Sequence, residues 1–157
     1  MWHGTFGELR DLVNDGRYVM RIRRAVQNRG LSFGPSEEKA WRESIEAFVN
    51  AVNNDGALDK LYALIEVPLP GTSARADIVL LGTGGAGERR ALVVELKQWP
   101  SAVGSKSEMA SFGGDRHMLH PSAQAEGYRD YIADYSDALV DRTPESRVTA
   151  CAFLHNC

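Results

Sequence analysis

The sequence predicts a mixed α/β (α+β) fold, in which extra N-terminal helices precede a helix, a three-strand antiparallel meander, a helix and a strand. Apolar residues recur at helical spacing up to about residue 52. Three runs typical of strands then follow one another across short turns, and a further helical pattern precedes a last apolar run. The 157 residues, of which 43% are apolar and 25% charged, are typical of one globular domain.

Composition and charge exclude several classes of protein. The formal net charge is 18 − 21 = −3, so the chain as a whole does not attract nucleic acid. No apolar run approaches the ~20 residues that a membrane span needs, and the N-terminus lacks the basic region and apolar core of a secretory signal. We therefore expect a cytoplasmic protein without a membrane partner, and we exclude a secreted disulfide scaffold and a coiled coil.

The two cysteines are expected to be free thiols. Cys151 and Cys157 lie six residues apart in a stretch that is typical of a strand. An extended chain separates them by about 20 Å, which is too far for a disulfide. Their spacing does not match a zinc site, so we expect both thiols at packing positions.

Two helices are predicted in the N-terminal part of the chain. Thr5 and Glu8 match a capping box, in which each side chain satisfies a free backbone N–H group at the start of a helix. Apolar residues follow at helical spacing up to Gly16, and a second helix is predicted over Tyr18–Gln27. Residues 17–30 hold no acidic residue, and a solvated helix face is favoured there over contact with a phosphate backbone. The basic residues of this segment are Arg17, Arg21, Arg23, Arg24 and Arg29.

The third helix has the clearest pattern and leads into the strands. Ser36 is a suitable N-cap, and Asn53–Gly56 contains residues that end helices. The apolar stripe recurs at i, i+4, i+7 and i+11, at Trp41, Ile45, Phe48 and Val52. Pro68–Ser73 and the glycine-rich Gly82–Gly87 are the turns of the meander. Its strands are predicted over Tyr62–Val67, Ala76–Leu81 and Arg89–Trp99.

The last third of the chain begins with Pro100–Pro121, which has no clear periodicity. Loops of this length inside a compact domain are usually functional or disordered. A long amphipathic helix follows Pro121, with its stripe at Ala125, Tyr128, Ile132, Tyr135 and Leu139. A buried strand is predicted over Arg147–Leu154. Because this strand runs almost to the end of the sequence, we expect the front part of a longer chain.

Two carboxylates are predicted to face each other across the second hairpin. Folding this hairpin symmetrically about Ala86 pairs Leu81 with Ala91, Val79 with Val93, and Asp77 with Glu95. Opposed carboxylates repel each other, so the arrangement favours a cation between them, and oxygen ligands suit Mg²⁺ or Mn²⁺. Lys97 shares the face of Glu95 and could stabilise an attacking water or a phosphate. The alternative is an exposed sheet face, on which Lys97 only neutralises Glu95.

Further carboxylates could complete such a site. Glu66 falls opposite Asp77 if the preceding turn centres between Gly71 and Thr72. The alternative for Glu66 is a partly exposed side chain that forms an ion pair with Arg75. Glu37 and Glu38 in the first turn of the third helix are other candidates, although the helix dipole alone explains acidic residues there.

Asp77, followed after seventeen residues by Glu95-Leu96-Lys97, resembles the core motif of the PD-(D/E)XK phosphodiesterase superfamily. A restriction-endonuclease-like core of helix, three-strand meander, helix and strand is what this resemblance implies. The sequence most resembles the nuclease-like N-terminal domain of bacterial schlafen-type superfamily 1 helicase proteins, over a domain at 35–157 that follows an N-terminal helical extension at 1–34. The segments that carry this resemblance are Ser36–Trp41, Arg75–Asp77, Glu95–Trp99, His120–Gln124 and Tyr128.

The resemblance implies roles for individual residues. Asp77 and Glu95 would bind Mg²⁺ (or Mn²⁺), and Lys97 would be the catalytic lysine. Gln124 would help to shape the site. Tyr128 lies one turn further along the same helix and also fits the apolar stripe, which favours core packing. His120 has either a role in the site or only a role in the loop before the helix.

The resemblance implies a metal-dependent nuclease domain that hydrolyses phosphodiester bonds of DNA. Ala76 replaces the proline of the motif, which this loose motif tolerates. The sequence contains no phosphate-binding loop, so the helicase domain would belong to another part of the full-length chain. The alternative function is a non-catalytic nucleic-acid-binding or scaffold domain with the same fold.

Overall fold

The protein is described from a computed structural model over residues 1–52, 56–99, 109–112, 116–135 and 147–155; for 109–112 and 116–118 the backbone alone is described. The helices in these ranges are α1 (Phe6–Asn14), α2 (Tyr18–Gln27), α3 (Pro35–Ala51) and α4 (Pro121–Tyr135), with a short 3₁₀ turn at Leu58–Lys60. The strands are β1 (Trp2–Thr5), β2 (Tyr62–Pro68), β3 (Arg75–Thr83), β4 (Arg89–Gln98), β5 (Met109–Phe112), β6 (Arg116–Leu119) and β7 (Arg147–His155).

A five-stranded sheet in the order β1-β2-β3-β4-β7 forms the centre of the molecule. Neighbouring strands from β1 to β4 are antiparallel, which confirms the predicted meander of β2, β3 and β4. β7 runs parallel to β4, and α4 lies between them in the chain. A parallel neighbour needs such a crossover, because a tight turn can only reverse the chain. The prediction of a mixed α+β fold is confirmed.

The two faces of the sheet bury different helices. Side chains alternate along β3 and β4, so that Ile78 and Val94 lie in an apolar cluster with residues of α1, α2 and α3. Val79 and Val93 lie in a second cluster, against which side chains of α4 pack. Helices therefore cover the sheet on both faces, and the ends of the central strands β3 and β4 lie between α3 and α4.

The N-terminal segment contains a strand that the sequence analysis did not predict. β1 pairs with β2, with Trp2 opposite Ile65. The capping box of α1 is confirmed by bonds from the Glu8 N–H to Thr5 Oγ1 (3.1 Å) and from the Thr5 N–H to Glu8 Oε2 (2.7 Å). The predicted helical extension at 1–34 thus also supplies the edge strand of the sheet. Its apolar residues share one cluster with α3, because they bury their faces against the same side of β2 and β3.

The start of α3 differs from the prediction. The N-cap is Gly34, and the helix begins at Pro35, whereas Ser36 was the predicted cap. Proline is well suited to the first helical position because it has no N–H group to satisfy there. The Glu37 side chain accepts a hydrogen bond from the Gly34 N–H at 2.8 Å, which supplies the capping contact.

The C-terminal elements correct three further predictions. β5 and β6 pair as an antiparallel hairpin within Pro100–Pro121, where no regular structure was predicted. β7 lies at the edge of the sheet and alternates between exposed and half-buried residues over 147–152, so it is not the buried strand that was predicted. Only its last residue, His155, is buried. The prediction of a free thiol at Cys151 is confirmed, but the residue is exposed, so its predicted packing position is wrong. The predictions for Leu139 and Cys157, and the end of the third helix at 53–55, lie outside the described residues.

Among the described helices, none has both the length and the apolar character that would let it cross a membrane.

Candidate active site

Asp77 lies where the central strands β3 and β4 separate. The predicted register of this hairpin is confirmed, with Val79 opposite Val93 and the last ladder pair at Ile78 and Val94. Beyond that pair, Asp77 Oδ2 accepts a hydrogen bond from the Leu96 N–H at 2.7 Å. A carboxylate thus takes the place of a carbonyl as the partner of a strand N–H group, which leaves the side chain fixed against the backbone of β4.

Glu95 is the buried member of the predicted pair. Its residue is only 2% exposed, so the exposed sheet face that was the alternative is wrong. The Oε1 atom lies 2.7 Å from Lys97 Nζ, and the Lys97 side chain is 23% exposed. The Oε2 atom is buried and has no hydrogen-bond partner. A buried oxygen of this kind is costly unless a donor or a cation satisfies it. The hydrogen bond between the two carboxyl side chains lowers the pKa of Glu95, so Asp77 can be that donor when it is protonated.

The charges of the two carboxylates oppose each other. Burial, followed by the negative charge of Glu95, raises the pKa of Asp77 to about 7, against the lowering effect of the Leu96 N–H and of Lys97. Burial also raises the pKa of Glu95, although the ion pair with Lys97 acts in the other direction. Near neutral pH the pair can share a proton, which offsets the repulsion between the two carboxylates.

Glu66 lies beside the pair but is occupied by other partners. It sits between the ladder pairs of Ile65 and Val67, as predicted, in a left-handed conformation with φ of 57°. Its Oε1 accepts a hydrogen bond from Trp41 Nε1 at 2.5 Å, and its Oε2 lies 2.6 Å from Arg75 Nε. The ion pair with Arg75 is thus confirmed, whereas the partial exposure that this alternative assumed is wrong, because Glu66 is buried. Both oxygens are engaged, so Glu66 is a neighbour of the site and not a free ligand.

The two glutamates of the first turn of α3 have different surroundings. Glu37 forms an ion pair with Arg75 and lines a cavity of about 220 Å³ together with Glu66 and Asp77. Glu38 instead faces arginines outside this cavity, since it pairs with Arg23. Of these two glutamates, only Glu37 therefore borders the space next to Asp77. Its carboxylate pairs with Arg75 and accepts the hydrogen bond from the Gly34 N–H.

Gln124 and Tyr128 lie on α4, which covers the sheet face that carries Val79 and Val93. Gln124 Nε2 donates a hydrogen bond to the Tyr128 hydroxyl at 2.9 Å. Burial raises the pKa of Tyr128, the bond from Gln124 lowers it, and the charges of Glu95, Asp77 and Lys97 act on the same hydroxyl. The hydroxyl is thus within electrostatic reach of the carboxylates, while the ring packs against the cluster of Val79 and Val93 as predicted.

His120 acts at the start of α4. Its Nδ1 atom accepts a hydrogen bond from the Ser122 N–H at 3.2 Å, so the side chain satisfies a free donor of the first helical turn. This contact fits the role in the loop before the helix.

Trp41 and Arg75 contact the acidic residues of the site, and neither was predicted from the sequence to belong to it. Trp41 was placed in the apolar stripe, and it is 5% exposed, but its indole N–H bonds to Glu66. Arg75 bridges Glu37 and Glu66 at the edge of the cavity. The available signals were that a buried tryptophan needs an acceptor for its N–H, and that Arg75 was one predicted partner of Glu66.

The donors of the site fit a metal ion that is held partly by water. In the part of the chain that the structure describes, no group of three or more His, Cys, Asp or Glu side chains is arranged to hold a metal. Mg²⁺, however, is usually bound through one or two carboxylates, with water and phosphate as its other ligands. Asp77 and Glu95 supply two carboxylates, and the unpaired Oε2 of Glu95 is an oxygen that lacks a donor.

Comparison of the chain with protein-family models, with curated proteins and with solved structures finds no significant match. The resemblance to the PD-(D/E)XK superfamily therefore depends on the motif residues themselves. It remains a prediction.

Proposed function

We propose that this chain is a metal-dependent nuclease domain of the restriction-endonuclease-like type, which hydrolyses phosphodiester bonds of DNA. The observation that carries the proposal is the unpaired Oε2 of the buried Glu95. The other oxygen of this carboxylate forms an ion pair with Lys97, and its negative charge raises the pKa of Asp77. A fold without a use for this arrangement would gain stability by removing one of the two acids.

Each residue has a role in this chemistry. Asp77 and Glu95 would hold Mg²⁺ or Mn²⁺ at the point where β3 and β4 separate. When bound, the metal lowers the pKa of a coordinated water and stabilises negative charge on a phosphate. Lys97 is partly exposed, so its ammonium can donate to a phosphate oxygen or orient the attacking water. Gln124 is held by Tyr128 and would help to fix the shape of the site.

The test combines metal binding with cleavage. Calorimetric titration with Mn²⁺ should show binding to the wild type that is lost in Asp77→Ala, and metal-dependent cutting of single- or double-stranded DNA should disappear with it. Glu88→Ala is the matched control, because it removes a carboxylate from the turn between β3 and β4 and should change neither result. Cutting that survives in Asp77→Ala would contradict the proposal.

A non-catalytic nucleic-acid-binding or scaffold domain is the second candidate. It is favoured by the Glu95–Lys97 ion pair and the raised pKa of Asp77, which together keep the site close to neutral without a metal. This candidate predicts no Mn²⁺ binding even above pH 7, where Asp77 is ionised. Metal binding without cutting would instead indicate that the helicase domain of the full-length chain, which we propose as a partner, is required.

A further inference from the structure

Three tyrosines of α4 lie in line with Gln124, the residue of this helix that was assigned to the candidate site. At about 100° per residue, Gln124, Tyr128, Tyr131 and Tyr135 fall within about 60° of one another around the helix axis. The acidic residues of α4 are centred about 130° away, at Glu126, Asp130 and Asp134. The line of Tyr128, Tyr131 and Tyr135, which we call the tyrosine stripe, therefore contains no acidic side chain of α4.

One end of the tyrosine stripe lies beside the candidate site. Tyr128 accepts the hydrogen bond from Gln124 and packs against the apolar cluster that contains Ala76, the neighbour of Asp77 in the chain. From Tyr128 the stripe continues to Tyr135, which is about 10 Å further along the helix. A stacked nucleic-acid strand advances about 3.4 Å per nucleotide, so this length corresponds to about three nucleotides.

The other end of the stripe is a stacked pair of rings. The centroids of the Tyr131 and Tyr135 rings are 4.5 Å apart, with 16° between the two planes. The Tyr131 hydroxyl donates a hydrogen bond to the Pro70 carbonyl oxygen, which holds its ring against the turn between β2 and β3. Tyr135 is 71% exposed, so it presents an aromatic surface to solvent. A single exposed aromatic residue is common, but this one borders an apolar cavity, which is typical of a binding surface.

The cavity beside these rings has a volume of about 440 Å³, which is within the usual range for ligand sites. It lies between α4 and the sheet, and its walls are mostly apolar, through residues such as Leu64 and Ile132. Its described lining includes Arg89 and Arg90 but no acidic residue, and Arg90 also pairs with Glu88. A flat, weakly polar group that is attached to an anion suits this combination. A nucleotide has both parts.

The turn between β2 and β3 lies between this cavity and the one beside Asp77. Pro70 lines the cavity at the tyrosines, whereas Arg75 lines the cavity at Asp77. The turn is closed by a hydrogen bond from the Leu69 N–H to the Ala74 carbonyl oxygen at 3.1 Å. A strand of nucleic acid that crosses this turn would contact both cavities.

We propose that Tyr131 and Tyr135 bind bases of single-stranded DNA, whose backbone is cut at Asp77 and Glu95. The inference rests on the proposed function, and it names the substrate class of that same site. Aromatic rings bind single strands by stacking on their bases, with little dependence on base sequence. In a duplex the bases are already stacked on one another, so their faces are not accessible to Tyr135. The tyrosine stripe therefore favours a single strand over a duplex.

The experiment measures binding of labelled oligonucleotides to the intact chain by fluorescence anisotropy, in EDTA so that nothing is cut. Loss of one stacked base weakens binding about 5- to 150-fold, so Tyr135→Ala should raise the Kd for a single strand by a factor in this range. Tyr135→Phe keeps the ring and should keep the affinity, whereas Tyr135→Leu is apolar without an aromatic face and should lose it. Met20→Ala is the control, because Met20 is also a large exposed side chain but lies on α2. The Kd for a duplex of the same sequence should not change in any variant.

The outcomes separate this inference from the nuclease proposal. Weaker binding of the single strand in Tyr135→Ala and Tyr135→Leu, but not in Tyr135→Phe, supports the inference whether or not the wild type cuts DNA. Cutting by the wild type with the same single-strand affinity in all variants would overturn it while leaving the nuclease proposal intact. An equal loss of affinity for the duplex, or no binding of the single strand by the wild type, would also overturn it. A wild-type dimer in sedimentation that dissociates in Tyr135→Ala would overturn it in favour of a second copy of the chain at this cavity.

Discussion

Replacing Asp77 by asparagine should stabilise the metal-free protein at alkaline pH. Asp77 is half-buried next to Glu95, and these surroundings raise its pKa from 3.8 to about 7. Asparagine has nearly the same shape and keeps an oxygen that can accept the hydrogen bond from the Leu96 N–H. Its amide group adds a donor that can pair with the unpaired Oε2 of Glu95. The substitution thus removes a charge conflict while retaining the contact with β4.

The magnitude follows from the linkage between pKa and stability. One pKa unit corresponds to about 1.4 kcal/mol, so the rise from 3.8 to about 7 makes ionised Asp77 cost about 4 kcal/mol in the folded state. The folded state binds more protons than the unfolded state between these two pKa values, so wild-type stability falls as the pH rises through this range. Of the total, about 3 kcal/mol is lost between about pH 5 and pH 8.

The assay is urea unfolding followed by circular dichroism, in EDTA at about pH 5 and about pH 8. The free energy of unfolding of Asp77→Asn, relative to that of the wild type, should rise by about 3 kcal/mol between the two pH values. With ordinary urea slopes this is a midpoint difference of roughly 1 to 3 M. Asp130→Asn is the control, because Asp130 is exposed on α4, and its pH dependence should match the wild type. A relative stability of Asp77→Asn that does not change with pH would refute the electrostatic reasoning.

Two other substitutions test the surroundings of the carboxylates. Lys97→Ala should reduce cutting by about 10²- to 10³-fold while Mn²⁺ binding persists in calorimetry, whereas Lys39→Ala on the exposed side of α3 should leave both unchanged. Mn²⁺ binding that is lost with Lys97 would contradict its assignment to the phosphate or the water. Trp41→Phe should lower the free energy of unfolding by about 2 to 3 kcal/mol, because it removes the donor to the buried Glu66. Trp2→Phe is the matched control, and an equal loss in both variants would indicate packing alone.

Local patterns were sufficient to predict much of the fold. The capping box of α1, the bounds of α2 and the register of the β3–β4 hairpin are confirmed, since each depends on residues close together in the chain. β1 was missed because four residues give too little alternation to reveal a strand, and its partner β2 lies about 60 positions further on. The start of α3 was misplaced because Ser36 and Gly34 are both acceptable caps, and Pro35 determines which one is used.

The sequence was enough to predict that Asp77 and Glu95 lie together, but not how deeply the site is buried or which side chains surround it. Hairpin symmetry alone aligned Asp77 with Glu95. The burial of Glu95 depends on how α3 and α4 cover the sheet, which the sequence pattern does not specify. The contacts of Glu66 with Trp41 and Arg75 could not be predicted from the sequence for the same reason, since they join separate elements. Glu66 itself has a positive φ.

The unpaired oxygen of Glu95 also distinguishes the two candidate functions by the pH dependence of stability. A proton satisfies this oxygen at low pH, whereas a bound cation would satisfy it at high pH. Without metal, the stability of the wild type falls as the pH rises towards 8, since ionised Asp77 and Glu95 repel each other. A ligand at 100 times its Kd adds about 2.7 kcal/mol to the folded state, which offsets most of the loss of about 3 kcal/mol. Saturating Mn²⁺ should therefore flatten the pH dependence of wild-type unfolding and leave Asp77→Asn unaffected. A scaffold domain that never binds metal would show the same pH dependence in Mn²⁺ as in EDTA, and that result would remove the physical basis for a nuclease.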